Sequence, residues 1–143
     1  MQVKIKKLNN NAIIPKYQTQ GASGFDFHAV EDVMLYPGVT LLVKTGLAFK
    51  LPKGYELQVR PRSGLSLKTP LRIANSPGTI DEDFVGEVCV IMENLSDISE
   101  YKINKGDRIA QGVICPVVQA QLEVVEELEE TARGSGAFGS TGS

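Results

Sequence analysis

The chain has little with which to hold a transition metal: 143 residues contain two cysteines, one histidine and no tryptophan. Cys89 and Cys115 stand far apart, without a CxxC pair or neighbouring histidines, which argues against a Cys/His metal centre. A lone His28 likewise argues against a Ser-His-Asp triad. The two thiols read as small apolar groups in a reduced, cytoplasmic protein. Long apolar runs are missing too, and nothing approaches the ~20 residues of a membrane helix. Met1-Gln2-Val3-Lys4-Ile5-Lys6-Lys7 alternates charge with apolar residues, unlike a signal or transit peptide. There is no excess of base either. The net charge is −2 with both signs interspersed, so the chain is expected to coat neither nucleic acid nor membrane. Any phosphate must be held by a few aimed groups.

What is present is the periodicity of strands. Tyr55-Glu56-Leu57-Gln58-Val59-Arg60 alternates apolar and polar residues, as a half-buried strand should. Val3/Ile5, Val39 to Val43, Leu71/Ile73, Val88/Val90/Met92 and Ile109 to Val118 repeat the theme with β-branched residues. Turn signals separate them: Pro37-Gly38, Pro52-Lys53-Gly54, Asn75-Ser76-Pro77-Gly78, Asn94 to Asp97, and Asn104-Lys105-Gly106-Asp107. Short strands with such punctuation predict one all-β sandwich or barrel, and the length suffices for one domain. Gln121 to Glu130 has both helical and strand spacing, and is read as a strand with an acidic exit. Thr131 to Ser143 is mostly Gly, Ser, Thr and Ala, too poor in apolar surface to fold alone and expected to be mobile unless something orders it.

Three segments carry chemistry. The tail from Arg133 to Gly142 has Gly134, Gly139 and Thr141 in P-loop register, but Ser140 replaces the lysine and no helix can follow. It remains a set of glycines, the hydroxyls of Ser140 and Thr141 and the Arg133 fork, all suited to phosphate, with Phe138 as the one flat apolar group. Arg62-Ser63-Gly64 at a strand end offers a guanidinium, a hydroxyl and an approachable backbone. Asn75 to Gly86 joins a Pro-Gly turn to three carboxylates, Asp81, Glu82 and Asp83. Its Ile80 and Phe84 are apolar where a solvated loop would be polar.

Together with Gly21-Ala22-Ser23-Gly24-Phe25-Asp26-Phe27 and Gly106-Asp107-Arg108-Ile109-Ala110-Gln111, these make five segments in order. They resemble the five motifs of the dUTP pyrophosphatase (dUTPase) family over nearly the whole chain. The resemblance implies an enzyme that cuts dUTP to dUMP and pyrophosphate, with Mg2+ as cofactor. It implies a distorted jelly-roll, β-barrel-like domain over 1–132 and a flexible C-terminal arm over 133–143 closing over an active site. It further implies a homotrimer with shared sites and an exchanged arm. Asp81 matches the general base that takes a proton from the attacking water; an ordinary carboxylate is ionised at neutral pH. Asp26 matches the carboxylate that holds a magnesium-bound water while the metal sits on the triphosphate. Arg62, Ser63, Gly64, Gln111, Arg133, Gly139, Ser140 and Thr141 match phosphate contacts. Asn75 and the backbone of Gly78, Thr79, Ile80 and Asp81 match the uracil-and-sugar hairpin, and Phe138 the ring that stacks on uracil.

The chain departs from the family pattern at four positions. Phe84 replaces a frequent tyrosine, and its ring should still press on the deoxyribose. Ala137 replaces a glycine, while Phe27 and Gly112 replace aliphatic residues. Two rivals share the fold, a dCTP deaminase and a non-catalytic nucleotide sensor. The first would need a glutamate catalyst, whereas Thr79 to Phe84 follows the pyrophosphatase pattern; the second leaves both Asp26 and Asp81 without purpose.

Overall fold

The computed structural model describes residues 1–142; Ser143, the last residue of the expected arm, lies outside the described residues. In chain order the elements are β1 (Lys4–Lys7), β2 (Phe25–His28), β3 (Val33–Leu35), β4 (Thr40–Lys50), β5 (Tyr55–Arg60), α1 (Ser63–Lys68), β6 (Leu71–Ile73), β7 (Gly78–Ile80), β8 (Glu87–Asn94), β9 (Tyr101–Ile103) and β10 (Arg108–Pro116). One sheet runs β1-β4-β8-β6, the other β2-β10-β5-β7, and β3 pairs with β9. All pairings are antiparallel. Strands distant in sequence lie side by side, which is the all-β domain that the strand pattern predicts and the distorted jelly-roll that the family resemblance implies.

Alternation decides which face is inside. Phe25 and Phe27 of β2, Leu57 and Val59 of β5, and Val88, Val90 and Met92 of β8 belong to one buried cluster. Each such side chain contributes about 1.5–3 kcal/mol by leaving water. Phe25 and Phe27 stand edge-on to each other, and both touch Phe49. Gly112 makes room for them: a Cβ there would lie 2.6 Å from Phe25 and 2.8 Å from Phe27. The two departures from the family's aliphatic residues are thus complementary, an added ring beside a removed side chain.

β4 carries a bulge. Lys44 opposes Cys89 but Ala48 opposes Glu87, so extra residues of β4 are accommodated between them. Gly46 takes a φ of 68° there and donates its N–H to Glu87 at 2.9 Å. Thr45 donates its buried hydroxyl to the Val88 carbonyl at 2.6 Å. Asn94, expected as a turn residue, is fully buried at the end of β8. Its amide donates to the carbonyls of Leu35 at 3.0 Å and Ser99 at 2.9 Å and accepts the Ser96 N–H at 3.0 Å.

Two elements differ from expectation. Ser63–Lys68 is a short helix with no buried residue, too brief for a helical period to be read. Gln121 to Glu130 forms no strand in the single chain. Leu122, Val124 and Leu128 are exposed, so its alternation finds no sheet edge and no core against which to pay off. Such a segment has β character without a partner.

Candidate active site

Cross-strand register builds the first half of the site. β10 lies between β2 and β5, and Gln111 stands directly opposite Asp26 on one side and Arg60 on the other. Residues directly opposite in an antiparallel ladder share a face. Asp26 therefore points outward between the inward rings of Phe25 and Phe27. After Arg60 the chain turns through Pro61, and Arg62 caps α1, with Ser63 and Gly64 in its first turn. Arg62 Nε donates to Asp26 Oδ1 at 2.8 Å, and Arg108 Nη1 donates to Oδ2 at 3.4 Å. Gln111 Nε2 donates to the Pro61 carbonyl at 2.8 Å. Gly24 permits this closeness, because a Cβ would lie 2.9 Å from the Gly112 carbonyl and 3.0 Å from Gln111 Oε1.

Arg108 lies within a motif segment, and the sequence alone assigns it no role. Its part comes from folding, which brings it across the ladder from His28 and beside Asp26. His28 shares this neighbourhood, and its Nδ1 is buried with no hydrogen-bond partner among the described residues. Burial lowers its pKa; Asp26 pulls the other way, while Arg108 and Arg62 add to the lowering.

The hairpin builds the second half. β7 pairs with the far edge of β5, Gly78 opposite Val59 and Ile80 opposite Leu57. Asn75, Gly78, Thr79, Ile80 and Phe84 line a recess of about 230 Å³, closed on its other side by Leu42, Cys89 and Ile91. The sequence gives no sign of those last three, which belong to the outward faces of β4 and β8. Of the three hairpin carboxylates, Glu82 is structural: it accepts the Gly54 N–H, and its carbonyl accepts Lys50 Nζ at 3.0 Å. Among the described residues, neither Asp81 nor Asp83 accepts a side-chain hydrogen bond. Asp81 faces a separate cleft of about 400 Å³ with Lys53, Tyr55, Glu56, Val117 and Gln119.

The two halves do not meet within one chain. Continuing the β5–β7 register sets Asp81 beside Glu56, four residues from Arg60, or about 13 Å along the strand. Asp26 lies two strands further across. The tail also stands apart. Arg133, Gly139, Ser140 and Thr141 are exposed, as is Phe138. Tail N–H groups close the tail's own turns: Gly136 to Arg133, Ser140 to Ala137, Gly142 to Gly139. Arg133 Nε donates to the Gly136 carbonyl at 2.9 Å.

No cluster of three or more His, Cys, Asp or Glu side chains is gathered for a metal among the described residues. Asp26, the carboxylate that the resemblance gives to a metal, has its charge offset by two arginines, and the carboxylates of Glu56, Asp81 and Asp83 border a different cleft. That suits magnesium held mainly by a ligand's phosphates and reached through water, and not a cage made by the protein. No helix among the described residues is long and apolar enough to cross a membrane.

A sequence model of the dUTPase family matches residues 10–142. The deoxyuridine 5'-triphosphate nucleotidohydrolase of Nautilia profundicola is 55% identical over 142 residues, covering 99% of both chains. That of Helicobacter pylori is 56% identical, covering 99% of this chain and 97% of its own. Among solved structures, a mutant of the Staphylococcus bacteriophage 80alpha dUTPase with dUpNHpp superposes with a TM-score of 0.93 at 31% identity, covering 99% of each chain. A mutant dUTPase from phage phi11 of S. aureus, which coordinates a structural Mg(II) ion, gives 0.84 at 30% identity over 91% of this chain and all of that one.

Proposed function

This chain belongs to the dUTPase family, and from that premise we propose that it hydrolyses dUTP to dUMP and pyrophosphate by attack of water at the α-phosphorus. The observation that carries the reading is the pairing of two preformed half-sites. One is a polar row in which Arg62 and Arg108 flank Asp26 beside Gln111; the other is a small recess on a hairpin whose Asp81 borders a neighbouring cleft. The first has the chemistry for a triphosphate, the second for a flat base and a sugar.

The residues divide the work. The hairpin backbone at Gly78, Thr79 and Ile80, with Asn75, pairs with uracil, and the Phe84 ring covers the deoxyribose. Arg62, Ser63, Gly64 and Gln111 hold the phosphates. Asp81 accepts a proton from the attacking water. The water oxygen bonds to the α-phosphorus as the bond to the α–β bridging oxygen breaks, and that oxygen leaves with pyrophosphate. Magnesium, when bound on the triphosphate, offsets its charge and aligns it; Asp26 would hold it through water. The arm over 133–143 closes the site, with Arg133, Gly139, Ser140 and Thr141 on the phosphates and Phe138 on the base.

The incompleteness of one chain supports a site shared between subunits, and the family resemblance supplies the trimer. Asp81 is far from Asp26, and the arm touches neither. The protein works as a homotrimer whose sites each draw on more than one subunit. An exchanged arm is supported by the exposed apolar residues of Gln121 to Glu130 and by an apolar groove of Val3, Ile5, Tyr17, Phe25, Phe49 and Ile114 beside β1. The β1 edge opposite β4 has no partner strand among the described residues. Two free thiols suit the reducing cytoplasm as its place of work.

The test is a substrate panel. With magnesium, the purified protein should release pyrophosphate from dUTP and hardly from dCTP, dTTP, dATP or dGTP. Buried hairpin groups left unpaired by cytosine cost about 1–3 kcal/mol each. Release of ammonia from dCTP would instead identify a deaminase.

A further inference from the structure

Gly86 stands two residues beyond Phe84 and has no backbone reason to be glycine. It is not among the glycines of positive φ, which include Gly38, Gly46, Gly54 and Gly106. What it meets is the Phe84 ring. A Cβ on Gly86 would lie 2.6 Å from Cζ of that ring and 3.0 Å from Cε2. Ordinary carbon contacts lie at about 3.5–4.0 Å. The tip of the ring therefore sits against a backbone that only glycine leaves bare, and the same Phe84 lines the recess with Asn75, Gly78, Thr79 and Ile80.

We propose that Gly86 is a positioning residue for sugar discrimination: it lets the Phe84 ring sit low enough to close the space that a 2′-hydroxyl would need. The inference rests on the proposed function of the recess. Any side chain at 86 lifts the ring by roughly 1 Å. Phe84 is 44% exposed, so it can yield by turning outward without disturbing the core. The cost falls on selectivity and not on the fold. A ring moved outward leaves the 2′ side of the sugar uncovered, and the ribonucleotide is no longer refused by shape.

The experiment compares kcat/KM for dUTP and UTP in wild type, Gly86→Ala, Phe84→Ala and the double variant, with thermal unfolding of each. Gly86→Ala should melt close to wild type and lower the dUTP/UTP ratio by about tenfold or more, as small misplacements at a reacting ligand do. Phe84→Ala should lower it similarly. In the Phe84→Ala background, Gly86→Ala should add little, because the two residues act through one contact. An unchanged ratio in Gly86→Ala, or a full additional loss in the double variant, would overturn the proposal. If Gly86→Ala fails to fold, the double variant, relieved of the clash, still decides: it should fold and match Phe84→Ala. A double variant that also fails to fold would make Gly86 a structural residue and overturn the proposal. A wild-type protein that does not hydrolyse dUTP would instead sink the functional reading beneath it.

Discussion

At the scale of the residue, the account turns on which groups are engaged and which are left free. Glu82 is tied to the β4–β5 turn, whereas Asp81 and Asp83 have no such tie among the described residues; the motif match makes Asp81 the proposed base. Asp81→Asn keeps the shape and loses the acceptor, so kcat should fall about 10²–10⁴-fold with dUTP binding retained. Steady-state kinetics with equilibrium binding of a non-hydrolysable analogue checks this, and near-normal turnover would refute it. Cys89, beside the recess, gives a prediction on pH. Burial, then Glu87, pushes its thiol pKa up, Lys44 opposes and Glu31 adds to the rise. A folded pKa above the unfolded one means that the folded chain holds the proton longer. Its contribution to stability is complete below the unfolded pKa and is lost as pH rises through the folded value. In a Cys115→Ser background, iodoacetamide labelling of Cys89 should have its midpoint above that of the same chain in urea. An equal or lower midpoint in the folded protein would contradict the burial argument. The motif residues were legible because chemistry of that kind is written in residue type and order. Arg108 was not given a role, since its link to Asp26 depends on cross-strand register. Gly86 and Cys89 escaped for the same reason: their neighbours are distant or set by a ring's orientation.

At the scale of the element, strands were the legible part. Tyr55–Arg60 and Glu87–Asn94 alternate in sequence and in burial, because a half-buried strand has a period of two. Asn94 shows where local reading stops. It carries a turn residue's chemistry, yet it is buried and spends its amide on the β3 end and the loop before β9. Replacing it with leucine leaves the buried Leu35 carbonyl unpaired and removes the bonds to Ser99 and Ser96, so stability should drop by about 2–4 kcal/mol. Urea unfolding should show a lower midpoint at unchanged slope. A variant as stable as wild type would mean that water satisfies those groups. Gln121 to Glu130 has the spacing of a strand and forms none alone, because alternation makes a segment suited to a partner strand without supplying one. The arm beyond it makes the complementary case. Ending the chain at Ala132 removes mostly exposed residues whose hydrogen bonds to the rest of the chain, among those described, are those of Gly134 to Thr131. Thermal unfolding should shift by only a few degrees, while most of kcat is lost because closure aligns the triphosphate and excludes water. A large fall in melting temperature, or full activity, would contradict the reading of the arm as a lid.

At the scale of the whole molecule, the resemblance pointed to a jelly-roll and to a set of candidate site residues, and the fold separates those residues into parts. Asp26, Arg62 and Gln111 are assembled on the face of one sheet, Asn75 to Phe84 form a recess at its edge, and the arm lies apart from both. Only the resemblance carried the trimer, because composition and spacing describe one chain and the missing contacts are between chains. The central claim is that a working site takes Asp81 and the arm from different subunits. Two inactive proteins test it: a chain ended at Ala132, with Asp81 but no arm, and a full-length Asp81→Asn chain, with the arm but no base. Each should be nearly inactive alone. Unfolded together, refolded and assayed for dUTP hydrolysis, they should regain a clear share of wild-type activity, because some sites in mixed trimers combine an intact Asp81 with an intact arm. Mixed trimers, verified by mass, that recover no activity would contradict the shared site.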